Sequence, residues 1–207
     1  MIVDEMRKTW LLMGAAGLMA VFATADCAFA HSGGGDFSIV SGALHPLNGL
    51  DHVLAMLAVG IWGAQQGMPA VWVLPVIFPL VMAVGGVLGI LGVPLPAVEA
   101  SICASVVGMG ALVALRYSMP LCAAVAVTGL FAIFHGYAHG VELPKGADAT
   151  VYCLGFVLST GAVHLAGVGL GLIERIPRGK VLLRLCGAAI AVAGGSMFYG
   201  IVKVVTG

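Results

Sequence analysis

Charge is what this chain has least of. Asp, Glu, Lys and Arg make up 9% of its 207 residues, where soluble domains carry roughly 25%. So little polar surface cannot cover a water-soluble globule. Neither sign is in excess: nine acidic and nine basic side chains cancel, so no global field draws the chain to nucleic acid. Cys-x-x-Cys is missing, which removes a zinc ribbon or a redox motif. Cys27 lies in the N-terminal segment. Cys103, Cys122, Cys153 and Cys186 are isolated in apolar sequence and read as small buried hydrophobes. The phosphate loop G-x-x-x-x-G-K-[ST], the zincin motif H-E-x-x-H and the hydrolase elbow G-x-S-x-G are absent too. No polar stretch is long enough to form a domain for such chemistry.

The chain has apolar length instead. Hydrophobic residues make up 61% of it and mean hydropathy is +1.12, so the expected fold is an all-α integral membrane protein in the lipid bilayer. Residues 1–30 have the layout of a cleavable signal peptide. Arg7 and Lys8 form its basic region, Trp10 to Ala25 its apolar core, and Ala28-Phe29-Ala30 an A-x-A cleavage site. The alternative is an uncleaved first span. Cleavage makes His31 the N-terminus of a short external His/Gly-rich segment, 31–45, followed by a polytopic transmembrane domain, 46–207. About six apolar segments divide that domain, near 46–65, 70–92, 97–115, 120–143, 149–173 and 180–204. Pro69, Pro94, Pro96, Pro120, Pro144 and Pro177 punctuate the joins. Short connections predict antiparallel hairpins between neighbours. Glycine pairs such as Gly85/Gly89, Gly136/Gly140 and Gly167/Gly171 predict close helix contacts without naming the partners. Arg116, Arg175, Arg178, Lys180 and Arg184 all fall opposite the His31 side. The positive-inside rule makes their side cytoplasmic. The expected arrangement is N-out/C-out and multi-pass in a bacterial inner membrane.

Two stretches break the apolar pattern. His45-Pro46-Leu47-Asn48-Gly49-Leu50-Asp51-His52 stands at the mouth of the first span. Ionisable groups in a span are costly, a few kcal/mol each, so they usually serve a purpose. Imidazole and carboxylate together are a borderline-metal ligand set. The second stretch is Phe134-His135-Gly136-Tyr137-Ala138-His139-Gly140-Val141-Glu142. His135, His139 and Glu142 share one helix face. They read as ligands or a proton relay, against the alternative of imidazoles hydrogen-bonded between helices. His52 on the first span and His135 on the fourth each lie on the order of 10 Å inside the outer boundary. Equal depth permits one shared site. Four further residues are candidates. His31 would offer an α-amine and an imidazole. Met56 is a soft ligand or packing. Glu99 completes the site or favours a helix N-terminus. His164 is an inward relay or a helix-contact histidine.

The pattern H-P-x-x-G-x-D-H with A-M-x-x-V-G, His45 to Gly60, resembles the signature of the HupE/UreJ family. F-H-G-x-A-H-G-x-E, Phe134 to Glu142, resembles its second hallmark. The resemblance extends over nearly the whole chain. It implies a hydrogenase or urease accessory membrane protein acting as a nickel permease, with some members linked to cobalt. It also implies metal-handling roles for His45, Asp51, His52, His135, His139 and Glu142. The expected function is therefore uptake of Ni²⁺, with Co²⁺ and Zn²⁺ suited to the same donors. No enzyme activity and no permanently bound cofactor is expected, and a homo-oligomer is left open. The rivals are a metal-binding accessory or sensor that transports nothing, and an intramembrane metalloenzyme.

Overall fold

A computed structural model describes residues 39–143 and 149–206. The expected signal peptide, His31 and most of the expected external segment lie outside the described residues. Helix α1 spans Ile39–Leu44 and leads into a 3₁₀ turn, His45–Leu47. Then follow α2 (Leu50–Gln66), α3 (Ala70–Ile90), α4 (Val98–Leu115), α5 (Leu121–Glu142) and α6 (Ala149–Gly171). A 3₁₀ turn at Leu172–Arg175 precedes α7 (Gly179–Thr206). Every regular element among the described residues is helical.

The five helices α3 to α7 are each long and apolar enough to cross a bilayer. Ahead of them stands a bent pair, Ile39–Leu47 and Leu50–Gln66, which meet at 82° and together are long and apolar enough to make one more span. The chain is thus an all-helical membrane protein. The single span expected at 46–65 is corrected here. With 17 residues, α2 reaches about 26 Å at 1.5 Å per residue, the short end of what spans a hydrocarbon core. Helical structure is already present upstream, over Ile39–Leu44. The break falls at Asn48-Gly49, where Gly49 is extended (φ −97°, ψ 112°). No helix can run through that backbone.

The main packing partners are not chain neighbours. The first crossing (α2) pairs with the fifth (α6), the second (α3) with the fourth (α5), and the third (α4) with the sixth (α7). Glycine makes each seam. On α3, Gly85 and Gly89 back onto the carbonyls of Ile133 and Tyr137; on α5, Gly136 and Gly140 back onto those of Met82 and Gly86. A methyl group at any of the four would sit closer than 3.0 Å to backbone. Gly60 and Gly167 seal α2 to α6 in the same way, and Gly110 and Gly187 seal α4 to α7. The order of these contacts makes the first two pairs parallel and the third antiparallel.

Trp62, Phe78, Met56, Ile61 and Leu74 fill the interior, while Leu80, Val84, Leu158, Leu182 and Val192 face outward. The cysteines divide differently from expectation. Cys103 is buried and Cys186 partly so, but Cys122 and Cys153 are exposed on the outer surface. Lipid solvates a thiol's apolar body as well as a protein core does.

The two ends of the bundle differ chemically. At one, Trp62 Nε1–H donates to the Tyr117 carbonyl (2.8 Å). Gln65 and Gln66 donate to those of Val113 (3.3 Å) and Met119 (3.2 Å). Arg116 pairs with Glu174 there, and Arg175, Arg178, Lys180 and Arg184 follow at the same end. The other end gathers the histidines.

Candidate metal centre

The 3₁₀ turn sets His45. Pro46 fixes its φ, and the Asn48 N–H closes the turn on the His45 carbonyl (3.1 Å). The His45 ring lies 4.9 Å from that of His139, 5.8 Å from Tyr152 and 6.2 Å from Phe156, centroid to centroid. His139 reaches across to His52 (4.4 Å), and His52 to His135 (4.8 Å). Four imidazoles from three elements therefore form one line of successive ring contacts.

Their protons are assigned by their neighbours. Asp51 Oδ1 accepts the His52 backbone N–H (2.8 Å) and lies 2.7 Å from His52 Nδ1. A carboxylate only accepts, so Nδ1 carries the hydrogen and Nε2 keeps its lone pair. His135 Nδ1–H donates to the Phe131 carbonyl (2.9 Å), with the same consequence. Nε2 of His45, His52 and His135 and Nδ1 of His139 are all buried without a hydrogen-bond partner. Each such atom costs about 1–3 kcal/mol, a penalty that binding a cation would offset.

Glu142 supplies the charge at the mouth. Its exposed Oε2 is 3.4 Å from His45 Nε2 and 4.0 Å from His139 Nδ1. One ligand atom from each of His45, His139 and Glu142 lies within 4.8 Å of the others. Two nitrogens on one transition-metal ion at 2.0–2.1 Å stand at most about 4 Å apart, so a small inward movement would complete a shared shell. Together with Asp51, two carboxylates face the imidazoles, matching the charge of a divalent ion.

The structure thus brings together His45, Asp51, His52, His135, His139 and Glu142. Met56 is buried in the apolar core one turn below His52. Glu99 is exposed in the first turn of α4 and stands outside the three-ligand group. His164 is fully buried and separated from the line by Phe78, whose ring lies 5.5 Å from His135 and 5.1 Å from His164. His31 is outside the described residues. Phe78, Tyr152 and Phe156 wall the site and were not singled out from sequence.

Fold and site together define a polytopic membrane protein with a histidine–carboxylate cluster recessed into one end of its helix bundle. The chain belongs to the HupE / UreJ protein family, whose model matches residues 9–197. It is similar to Protein HupE of Rhizobium leguminosarum bv. viciae, with 43% identity over 182 residues, covering 88% of this chain and 95% of that relative. No solved structure matches it.

Proposed function

We propose that this protein is an inner-membrane permease for a divalent transition-metal ion, with Ni²⁺ as its substrate, serving nickel enzymes such as hydrogenase or urease. The observation that carries this reading is the run of buried imidazole nitrogens that make no hydrogen bond, flanked by two carboxylates, inside a membrane bundle. Neutral imidazole and carboxylate suit Ni²⁺, Co²⁺ and Zn²⁺. Kinship with the HupE / UreJ family supports nickel among them. In this reading His45, His139 and Glu142 receive the ion, His52 and His135 complete the same site on its deeper side, and Asp51 orients His52 through its Nδ1–H. The signal peptide is removed before His31, both ends of the mature chain face out, and the cationic end of the bundle faces the cytoplasm. A 2+ ion moving inward down ~100 mV gains about 4.6 kcal/mol. No nucleotide is then needed to drive uptake.

Ion flux into proteoliposomes containing the purified protein, across Ni²⁺, Co²⁺, Zn²⁺ and Mg²⁺, tests the reading. Ni²⁺ is expected to enter and Mg²⁺ to be refused. Ni²⁺ binding with no flux would replace the permease by a metal-binding accessory protein. Tightly held stoichiometric iron or zinc would replace it by a metalloenzyme.

A further inference from the structure

We infer that His164 is a second, inner metal-binding station on α6, beyond Phe78, that takes the ion on from the outer cluster. This inference rests on the permease reading above. It starts from an imidazole that has no business in a lipid-bound core unless something uses it. His164 and Thr160 are both fully buried, one turn apart on one face of α6. The His164 Nδ1–H donates to the Thr160 carbonyl (2.8 Å). Nε2 is therefore the lone-pair nitrogen, as in His52 and His135. His164 Nε2 and Thr160 Oγ1 are both buried without a hydrogen-bond partner. A histidine kept only to join helices would spend that nitrogen on a neighbour. This one leaves a neutral imidazole nitrogen open, a donor that suits a divalent transition-metal ion, with the unpartnered Thr160 hydroxyl one turn away on the same helix.

Its place along the bundle fits passage onward. Counted from the histidine end of each helix, His135 lies about 10 Å along α5, Phe78 about 18 Å along α3, and His164 about 22 Å along α6. His164 is then about 10 Å from the far end of α6, at Gly171. Phe78 touches both histidine rings and is the apolar step between two polar stations. Multi-site occupation, with each site weak enough to release its ion, is what conduction requires. The backbone around His164 is fixed as well. Gly60 of α2 packs directly on the His164 carbonyl, so the imidazole is presented from a rigid seam.

The test uses the full-length protein and Ni²⁺. His164→Ala should retain outer-site Ni²⁺ affinity by calorimetry while flux in proteoliposomes falls about 10-fold or more, the pattern of a lost later step. His164→Phe fills the space without a donor and should fail equally. Flux restored by Phe would reduce His164 to packing, and Ni²⁺ flux at wild-type rate in both variants would remove the station. A second measurement stands apart from transport. In a His139→Ala background, residual weak Ni²⁺ binding should disappear when His164→Ala is added, with matched elution and melting showing intact folding. Residual binding that ignores His164 would overturn the inference. Absence of flux in the wild type would sink the permease reading alone, and this binding comparison would still decide His164.

Discussion

The hydrogen on each imidazole decides what the residue can hold. At His52 the carboxylate of Asp51 fixes it on Nδ1; at His135 and His164 a backbone carbonyl does. Asp51→Asn removes the charge and lets an amide N–H face His52 instead. Ni²⁺ affinity by calorimetry is expected to fall ~10–100-fold, the usual loss for an orienting partner, and an unchanged affinity would deny Asp51 that role. Direct donors should matter more. His52→Ala and His139→Ala are each expected to abolish most uptake at matched membrane levels. The double variant should be little worse, because donors to one ion act as a unit. Losses that multiply would instead mean two independent sites. The six cluster residues were legible in the sequence because polar groups in an apolar span stand out at once. Phe78, Tyr152 and Phe156 were not, since an aromatic in an apolar run looks the same whether it faces lipid, core or site. His45 could be named as a candidate, but its reach to His139 and Glu142 depends on a turn geometry that no periodicity reports.

At the level of elements, glycine sets which helices meet. Gly136→Ala would drive a methyl group into the Met82 carbonyl. It is expected to lower stability by about 1–3 kcal/mol, as overpacking does, read as a lower melting temperature in detergent. Gly129→Ala is the control on the same helix. Its added Cβ would meet only Val81 methyl groups at 3.8 and 3.9 Å, ordinary contact, and alanine is the better helix former. It should melt at or above the wild-type temperature. Equal damage from both would mean that the seam is not what holds α3 to α5. Five crossings were readable from apolar length, and Gly85/Gly89 and Gly136/Gly140 were readable as contact surfaces. Their mutual pairing was not, because a small-residue repeat fixes close approach without specifying a partner. The break at Asn48-Gly49 was hidden too: it lies inside a motif whose ionisable residues already interrupt the apolar pattern, so lost helicity left no separate trace.

For the whole molecule, the decisive contrast is between its ends. One carries Glu142, His45 and the entrance to the cluster; the other carries Arg116, Arg175, Arg178, Lys180 and Arg184. Orientation can be checked with single cysteines in a cysteine-free background. Val93→Cys, in the loop at the histidine end, should react with a membrane-impermeant maleimide on intact spheroplasts. Ser118→Cys, at the cationic end, should react only after permeabilisation. The opposite labelling would reverse the direction of entry. N-terminal sequencing of the membrane-purified protein should begin at His31, and an intact Met1 would make the first segment a retained anchor.

The seams also partition the cluster. His45, Asp51 and His52 belong to the body formed by α1, α2 and α6; His135, His139 and Glu142 belong to the body formed by α3 and α5. Backbone-to-backbone glycine contact makes each body stiff, while less extensive contacts, chiefly α2 against α3, join the two. A bound ion would therefore act as a rivet between separate plates. Ni²⁺ at 100 times its Kd should add about 2.7 kcal/mol to thermal stability, and a disulfide locking α2 to α3 should keep that gain but stop turnover. A small slip between the plates would draw the rivet and leave every seam intact. Dividing the donors between two plates gives the protein a way to let the ion go.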